Sequence, residues 1–190
     1  MKATWKHRVE YALLRGVVAL LSPLGIRHAS NIGARLGALG YWPLGIRRDV
    51  VTRHLAACFP GLDERERAAL ARQSYEHLGR VAMESALLSR LGPESLRVLV
   101  ERVEGWDVIE RGRARGQGLV LVAGHLGNWE LSGACLSALG VPLAAVAKRQ
   151  LNPLADDFVN RTRRRLGMVV VFDDEAVRKL PRLLKEGYGI

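Results

Sequence analysis

From residue 119 onward three short apolar runs, "LVLVA" at 119–123, "PLAAVAK" at 142–148 and "MVVVF" at 168–172, alternate with segments of helical spacing at 128–139, 152–166 and 174–186. Each run has the length of a strand but not the polar alternation of a strand with one wet face, so each reads as buried on both faces. A chain that leaves a strand through a helix and returns to the same sheet re-enters in the same direction. The expected fold is therefore α/β, a helical N-terminal region followed by a mainly parallel sheet flanked by helices. In such sheets reactive groups gather where strands end and helices begin.

Upstream of residue 119 the chain reads mainly as helix. In "FPGLDERERAALARQSYEHLGRVAMESALLSRLG", 59–92, Asp63 stands as N-cap with Glu66 three residues on, and Leu70, Leu78, Val81 and Ala82 recur at helical spacing. Gly92-Pro93 ends that helix. "LRVLVERVEG", 96–105, reads as a short β-like run, and "DVIERGRARG", 107–116, starts a further helix at Asp107-x-x-Glu110. In "NPLADD", Asn152 is a cap, Pro153 suits the first helical position, and Asp156 and Asp157 face the positive end of the dipole.

The 190 residues, 48% hydrophobic, suffice for one domain with an appended N-terminal segment. Cys58 and Cys135 stand far apart with no CxxC or Cys/His spacing, so both are expected to be reduced core thiols and no metal site is expected. The net charge of +10 is unevenly placed, since residues 1–60 hold nine Lys/Arg against Glu10 and Asp49. A segment both basic and rich in Leu, Val, Trp and Gly suits an anionic membrane surface rather than nucleic acid, which needs no apolar companion. "YALLRGVVALLSPLGI", 11–26, is interrupted by Arg15 and Pro23 and is short for a span, while Tyr41 and Trp42 close the next run as interfacial anchors do. Residues 1–46 are thus expected to lie in or against the cytoplasmic face of a membrane, with 47–190 as the remaining domain. The competing reading makes the two runs ordinary core helices.

The first strand breaks at Gly124-His125-Leu126-Gly127-Asn128, followed by Trp129 and Glu130. On one continuous helix His125 and Glu130 would point about 140° apart, but a turn running into a helix brings such residues within reach. A neutral imidazole takes a proton from a hydroxyl, and a carboxylate on its other nitrogen fixes the tautomer and stabilises the imidazolium. Glu130 is the expected carboxylate. With no Ser or Cys in the motif, the activated hydroxyl is expected to be the substrate's. The plainer reading is a capped helix N-terminus with an incidental His.

"GHLGNWE" resembles the His-x4-Glu motif of the bacterial late acyltransferases of lipid A biosynthesis, a lauroyl/myristoyl transferase family within the lysophospholipid acyltransferase-like group. "RGQGLVLVAG" is similar to its lead-in. "AKRQLNPLADDFVNRTRRRLG" is similar to its next segment, with a basic residue four before Asn-Pro and an Arg four before Gly. The Phe-Pro-containing stretch upstream is also similar. The resemblance implies acyl transfer from a thioester, typically on acyl carrier protein, to a hydroxyl of a lipid A precursor or another anionic lipid at the inner membrane. It implies neither metal, cofactor nor acyl-enzyme. By resemblance His125 is the general base and Glu130 its partner. Asn128, Lys148 and Arg163 are substrate-binding, with Arg163 holding phosphate or stabilising charge and Lys148 standing where the family more often has Arg. Arg149, Arg164 and Arg165 are expected on solvated faces.

The family continues through a strand with an Asp-Gln pair and a Phe-Gly-rich loop, whereas this chain stops at "LLKEGYGI". A fragment or truncated paralogue with an incomplete sheet is therefore expected. Its alternatives are a catalytically impaired protein of the membrane surface and an acyltransferase acting on another lipid.

Overall fold

The computed structural model describes residues 3–190; Met1 and Lys2, the start of the expected membrane-associating segment, lie outside the described residues. By packing the chain divides into two compact units, one of residues 1–17 and 88–190 and one of residues 18–87. The expected break at 46/47 follows chemistry; packing divides the chain elsewhere. Helix α1, Trp5–Leu21, begins in the first unit and ends in the second.

The 18–87 unit is helical: α2 (Gly25–Tyr41), α3 (Arg48–Cys58) and α4 (Glu64–Leu87). The expected start of α4 is borne out by a reciprocal capping box. Asp63 N–H donates to Glu66 Oε2 and Glu66 N–H to Asp63 Oδ1, each at 2.8 Å. Helices α2 and α4 cross backbone to backbone because the crossing is made by Gly33, Gly37 and Gly79. A Cβ on any of the three would collide with the opposing main chain. Small residues here bring main chains together and let Ala29, Ala71, Val81 and Met83 close over the crossing as buried core.

In the other unit α5 (Pro93–Leu99) and α6 (Trp106–Ala114) precede α7 (Trp129–Ala138), β1 (Ala144–Ala147), α8 (Pro153–Arg165), β2 (Val169–Phe172) and α9 (Asp173–Lys185). β1 and β2 pair in parallel, Ala144 opposite Val169 and Ala147 opposite Phe172. Residues 188–190 add to the other side of β1. Gly189 N–H donates to Pro142 O at 2.7 Å and Ala144 N–H to Gly189 O at 2.8 Å. Residues 119–121 add beyond them, with Leu119 N–H on Tyr188 O, Ile190 N–H on Leu119 O and Leu121 N–H on Ile190 O. The helix-rich N-terminal region and parallel, helix-flanked sheet are those expected. Leu88, Leu96, Ala134, Ala138, Leu143, Leu166 and Met168 form the core beneath the sheet.

Four local expectations fail. "LVLVA" is not a regular strand: it is held at one bridge, Leu119 to Gly189, because its ladder partner among the described residues is only three residues long. Nor are the strands buried on both faces, since Val120, Val122 and Val146 are exposed, Val122 at 96%. Burial on both faces requires helices over both, and alternate side chains here point away from the core. "LRVLVERVEG" opens as α5, not as a strand. Pro93 at the first helical positions and Glu94 in the first turn start a helix that places Leu96 fully inside, and the chain becomes extended only at Val100. The cysteines also divide: Cys58, at the end of α3, is exposed, and only Cys135 is partly covered. Burial pushes the Cys135 thiol above its ordinary pKa.

Candidate active site

The turn between 119–121 and α7 is built by its glycines and closed by its asparagine. Gly127 sits at φ +60°, in the left-handed region that glycine adopts without penalty, so the chain reverses directly into the helix. Asn128 takes the N-cap position, its side-chain oxygen accepting from Leu131 N–H at 3.0 Å. The cap fixes the first turn of α7, which carries Trp129 and Glu130. Asn152 caps α8 in the same way, accepting from Leu154 and Ala155 N–H. Its amide nitrogen donates to His7 O at 3.0 Å and Glu10 Oε2 at 2.8 Å, which ties α8 to the start of α1.

A cavity of 620 Å³ opens between this turn, β1 and α8. His125, Trp129, Glu130, Lys148, Gln150 and Arg163 reach its wall, with Leu121, Leu136, Leu143 and Met168 forming an apolar side. Four of the five expected site residues thus meet at one cavity. Asn128 stands behind it as the cap.

Their pairing differs from the expected one. Among the described residues no hydrogen bond joins His125 to Glu130. Glu130 is instead held by Arg163 in a two-pronged ion pair, Nε donating to Oε2 at 3.0 Å and Nη2 to Oε1. The remaining terminal nitrogen, Nη1, donates to Asn160 Oδ1 at 3.1 Å. Glu130 and Arg163 side chains are each only 17% exposed, and Asn160, from the same helix as Arg163, is 3% exposed. A planar guanidinium fits a carboxylate through two parallel bonds, and once half-buried this geometry outcompetes a single imidazole bond. Arg163 is therefore already neutralised by a protein partner. Lys148, exposed at the cavity wall, is the cation there with no ion pair among the described residues.

His125 is exposed, and its ring packs at 55° to that of Trp129 with centroids 4.7 Å apart. Trp129 and Asn160 are the site residues that sequence reasoning missed. Trp129 stands inside the quoted motif, but the expected partner of His125 is the carboxylate beside it, Glu130, and not the indole that packs on the imidazole. Asn160 carried a faint signal, a polar residue three before Arg163 on the face that α8 buries. Arg165, expected on a solvated face, is exposed yet clamps the chain, its Nη2 donating to Leu88 O at 2.8 Å and Leu91 O at 2.9 Å. Arg149 lies over Phe172, 3.8 Å from the ring centroid.

The chain belongs to the bacterial lipid A biosynthesis acyltransferase family, whose model matches residues 2–190. It is 24% identical to the lipid A biosynthesis myristoyltransferase of Escherichia coli K12, over 97% of this chain and 58% of the relative. The lipid A biosynthesis acyltransferase 1 of Shigella flexneri is 24% identical with the same coverage. Identity to the lauroyltransferase of Escherichia coli K12 is 29%, over 74% of this chain and 45% of that protein. The chain thus spans a little over half the length of the first of these relatives.

Proposed function

We propose that this chain carries the reacting half of an O-acyltransferase that moves a fatty acyl group from an acyl carrier protein thioester to a hydroxyl of a lipid A precursor. Family membership and the names of the relatives supply the reaction class. The observation that carries the assignment of residues is the convergence of His125, Glu130, Lys148 and Arg163 on one cavity with an apolar side.

In this reading His125 takes the proton of the acceptor hydroxyl as its oxygen attacks the thioester carbonyl. The tetrahedral intermediate collapses by breaking the C–S bond, and the imidazolium returns the proton to the departing thiolate. No acyl-enzyme and no metal takes part. Trp129 sets the plane of the imidazole by packing. Glu130 acts through Arg163: the pair is a fixed, half-buried dipole at the cavity wall, steadied by Asn160. Lys148, with no carboxylate partner among the described residues, meets the negative charge of the substrate or of the developing oxyanion. Leu121, Leu136, Leu143 and Met168 accommodate the first carbons of the acyl chain.

The N-terminal region serves the same chemistry by holding the protein at the cytoplasmic face of the inner membrane. Trp5, Val9, Leu13, Val17 and Leu20 recur along α1 at helical spacing and are all exposed, Trp5 at 79%. The helical stretch Trp5–Tyr41 is by length and composition long and apolar enough to cross a membrane. An exposed apolar stripe beside Lys6, Arg8 and Arg15 suits a surface of anionic lipid, and residues 1–46 are proposed as the membrane-associating segment.

The test is transfer of a labelled acyl chain from acyl carrier protein to a lipid A precursor by the full protein that carries this chain. Labelled product in the wild type and its loss in His125→Ala support the reading. Equal product from both removes His125 from the reaction.

A further inference from the structure

Helices α2, α3 and α4 enclose a second cavity, of 820 Å³, wholly within the 18–87 unit. Its wall carries Arg35, Arg48, Arg72 and Arg80 against one carboxylate, that of Glu76. Glu76 is already engaged by Arg72, whose Nε donates to it at 3.0 Å. Arg80 Nη1 donates to the side-chain oxygen of Asn31 at 2.6 Å, a neutral partner that fixes the guanidinium without cancelling its charge. Arg48 lies over the Tyr41 ring, 4.6 Å from its centroid. Arg35 is exposed and has no ion pair among the described residues. Each guanidinium carries five N–H donors, so most of the donors around this cavity remain open.

Four like charges around one concavity repel one another, and a bound anion relieves the repulsion. The planar fork of arginine matches the oxygens of a phosphate two at a time, which the rounder ammonium of lysine does not. The rim adds a second property. Leu39 and Trp42 line the same cavity and are both exposed, so the anion's site has an apolar lip. A free phosphate or a polyphosphate would gain nothing from that lip, whereas a phosphate attached to acyl chains would. The volume is that of a headgroup-sized site.

We propose that the α2–α3–α4 cleft binds the phosphate group of a phosphorylated lipid, with Arg35, Arg48 and Arg72 contacting its oxygens and Trp42 and Leu39 packing on its apolar part. The cleft lies on elements other than those that carry His125 and Glu130, and its function does not depend on acyl transfer. It rests on the membrane-facing reading only in that the phosphate is carried by a lipid. Two lipids share this chemistry, a membrane phospholipid and a phosphorylated glucosamine lipid.

Co-sedimentation of the full chain with three vesicle compositions tests it: phosphatidylcholine alone, phosphatidylcholine with phosphatidylglycerol, and phosphatidylcholine with bis-phosphorylated lipid A. Arg35→Gln/Arg72→Gln is compared with Arg53→Gln/Arg65→Gln, which removes the same charge outside the cleft. The cleft pair should weaken binding to a phosphate-bearing anionic vesicle by about tenfold or more, and the control pair by less than about threefold. Arg35→Lys/Arg72→Lys keeps the charge and the helices, and should bind at an intermediate level because the fork is lost. The anionic vesicle on which the Gln pair loses most identifies the source of the phosphate. Phosphatidylcholine, whose phosphate is balanced by its own choline cation, is the zwitterionic baseline; binding to it that the cleft pair leaves unchanged reports insertion of the α1 stripe, and the absence of such binding would fail the membrane-facing reading without touching the cleft. Equal losses from the cleft and control pairs, or no loss from the cleft pair with unchanged circular dichroism, would overturn the proposal.

Discussion

Two cavities of this protein use arginine in opposite ways. At the cavity beside α7, Arg163 is half-buried, bonded twice to Glu130 and once to Asn160, so its orientation is set before any ligand arrives. At the cleft of the 18–87 unit, Arg35 and Arg48 are exposed and, among the described residues, have no carboxylate partner, and the one acid in the lining, Glu76, is bonded to Arg72. A neutralised arginine gives a site its geometry; unneutralised ones give it affinity for an anion. In the first cavity the proposed roles follow from this: Lys148 meets charge and His125 moves a proton.

This contrast is open to attack first at the ion pair. Glu130→Ala leaves Arg163 half-buried and uncompensated, and should cost about 3 kcal/mol of stability, read as a fall in the urea midpoint. Adding Arg163→Ala to it should restore part of the loss. If Glu130→Ala melts like wild type, the pair is not the fixed element described here. In the 18–87 unit the strongest perturbation is Gly79→Ala, whose methyl would press on the Gly33 carbonyl. A destabilisation of about 2 kcal/mol is expected from overpacking, with the cleft's lipid binding weakened as α2 and α4 are forced apart. Smaller still is Asp63→Ala, which removes one half of the α4 capping box and should cost about 1 kcal/mol.

What was readable from the sequence follows the range of the interactions. Capping at Asp63, Asn128 and Asn152 was legible because a cap and its N–H partners lie within three residues of each other. The parallel order was legible from alternation alone. The partner of Glu130 was not, because it lies 33 residues away on α8, and only the three-dimensional packing decides between an imidazole and a guanidinium. The cleft was invisible for the same reason: its arginines come from three helices between residues 35 and 80, and in sequence they look like scattered surface charge. The strand faces were misread because a valine run does not say whether a second layer of helices covers it; Val122 has none over it.

The least perturbing test uses the two thiols. A thiol reagent at neutral pH should label the exposed Cys58 readily. Cys135 should lag, because burial raises its pKa and so lowers its thiolate fraction below that of an open cysteine. Equal labelling would mean that the core next to the α7 cavity is looser than described.

The central claim is that His125, and not the Glu130–Arg163 pair, handles the proton. Its most direct test is a single-turnover measurement of acyl carrier protein thioester consumption by wild type, His125→Ala and Glu130→Gln, with a lipid A precursor as acceptor. The account predicts a fall of about 10² to 10⁴-fold for His125→Ala and a smaller fall for Glu130→Gln, which keeps one acceptor for Arg163. A wild-type rate from His125→Ala, or a larger loss from Glu130→Gln than from His125→Ala, would contradict it.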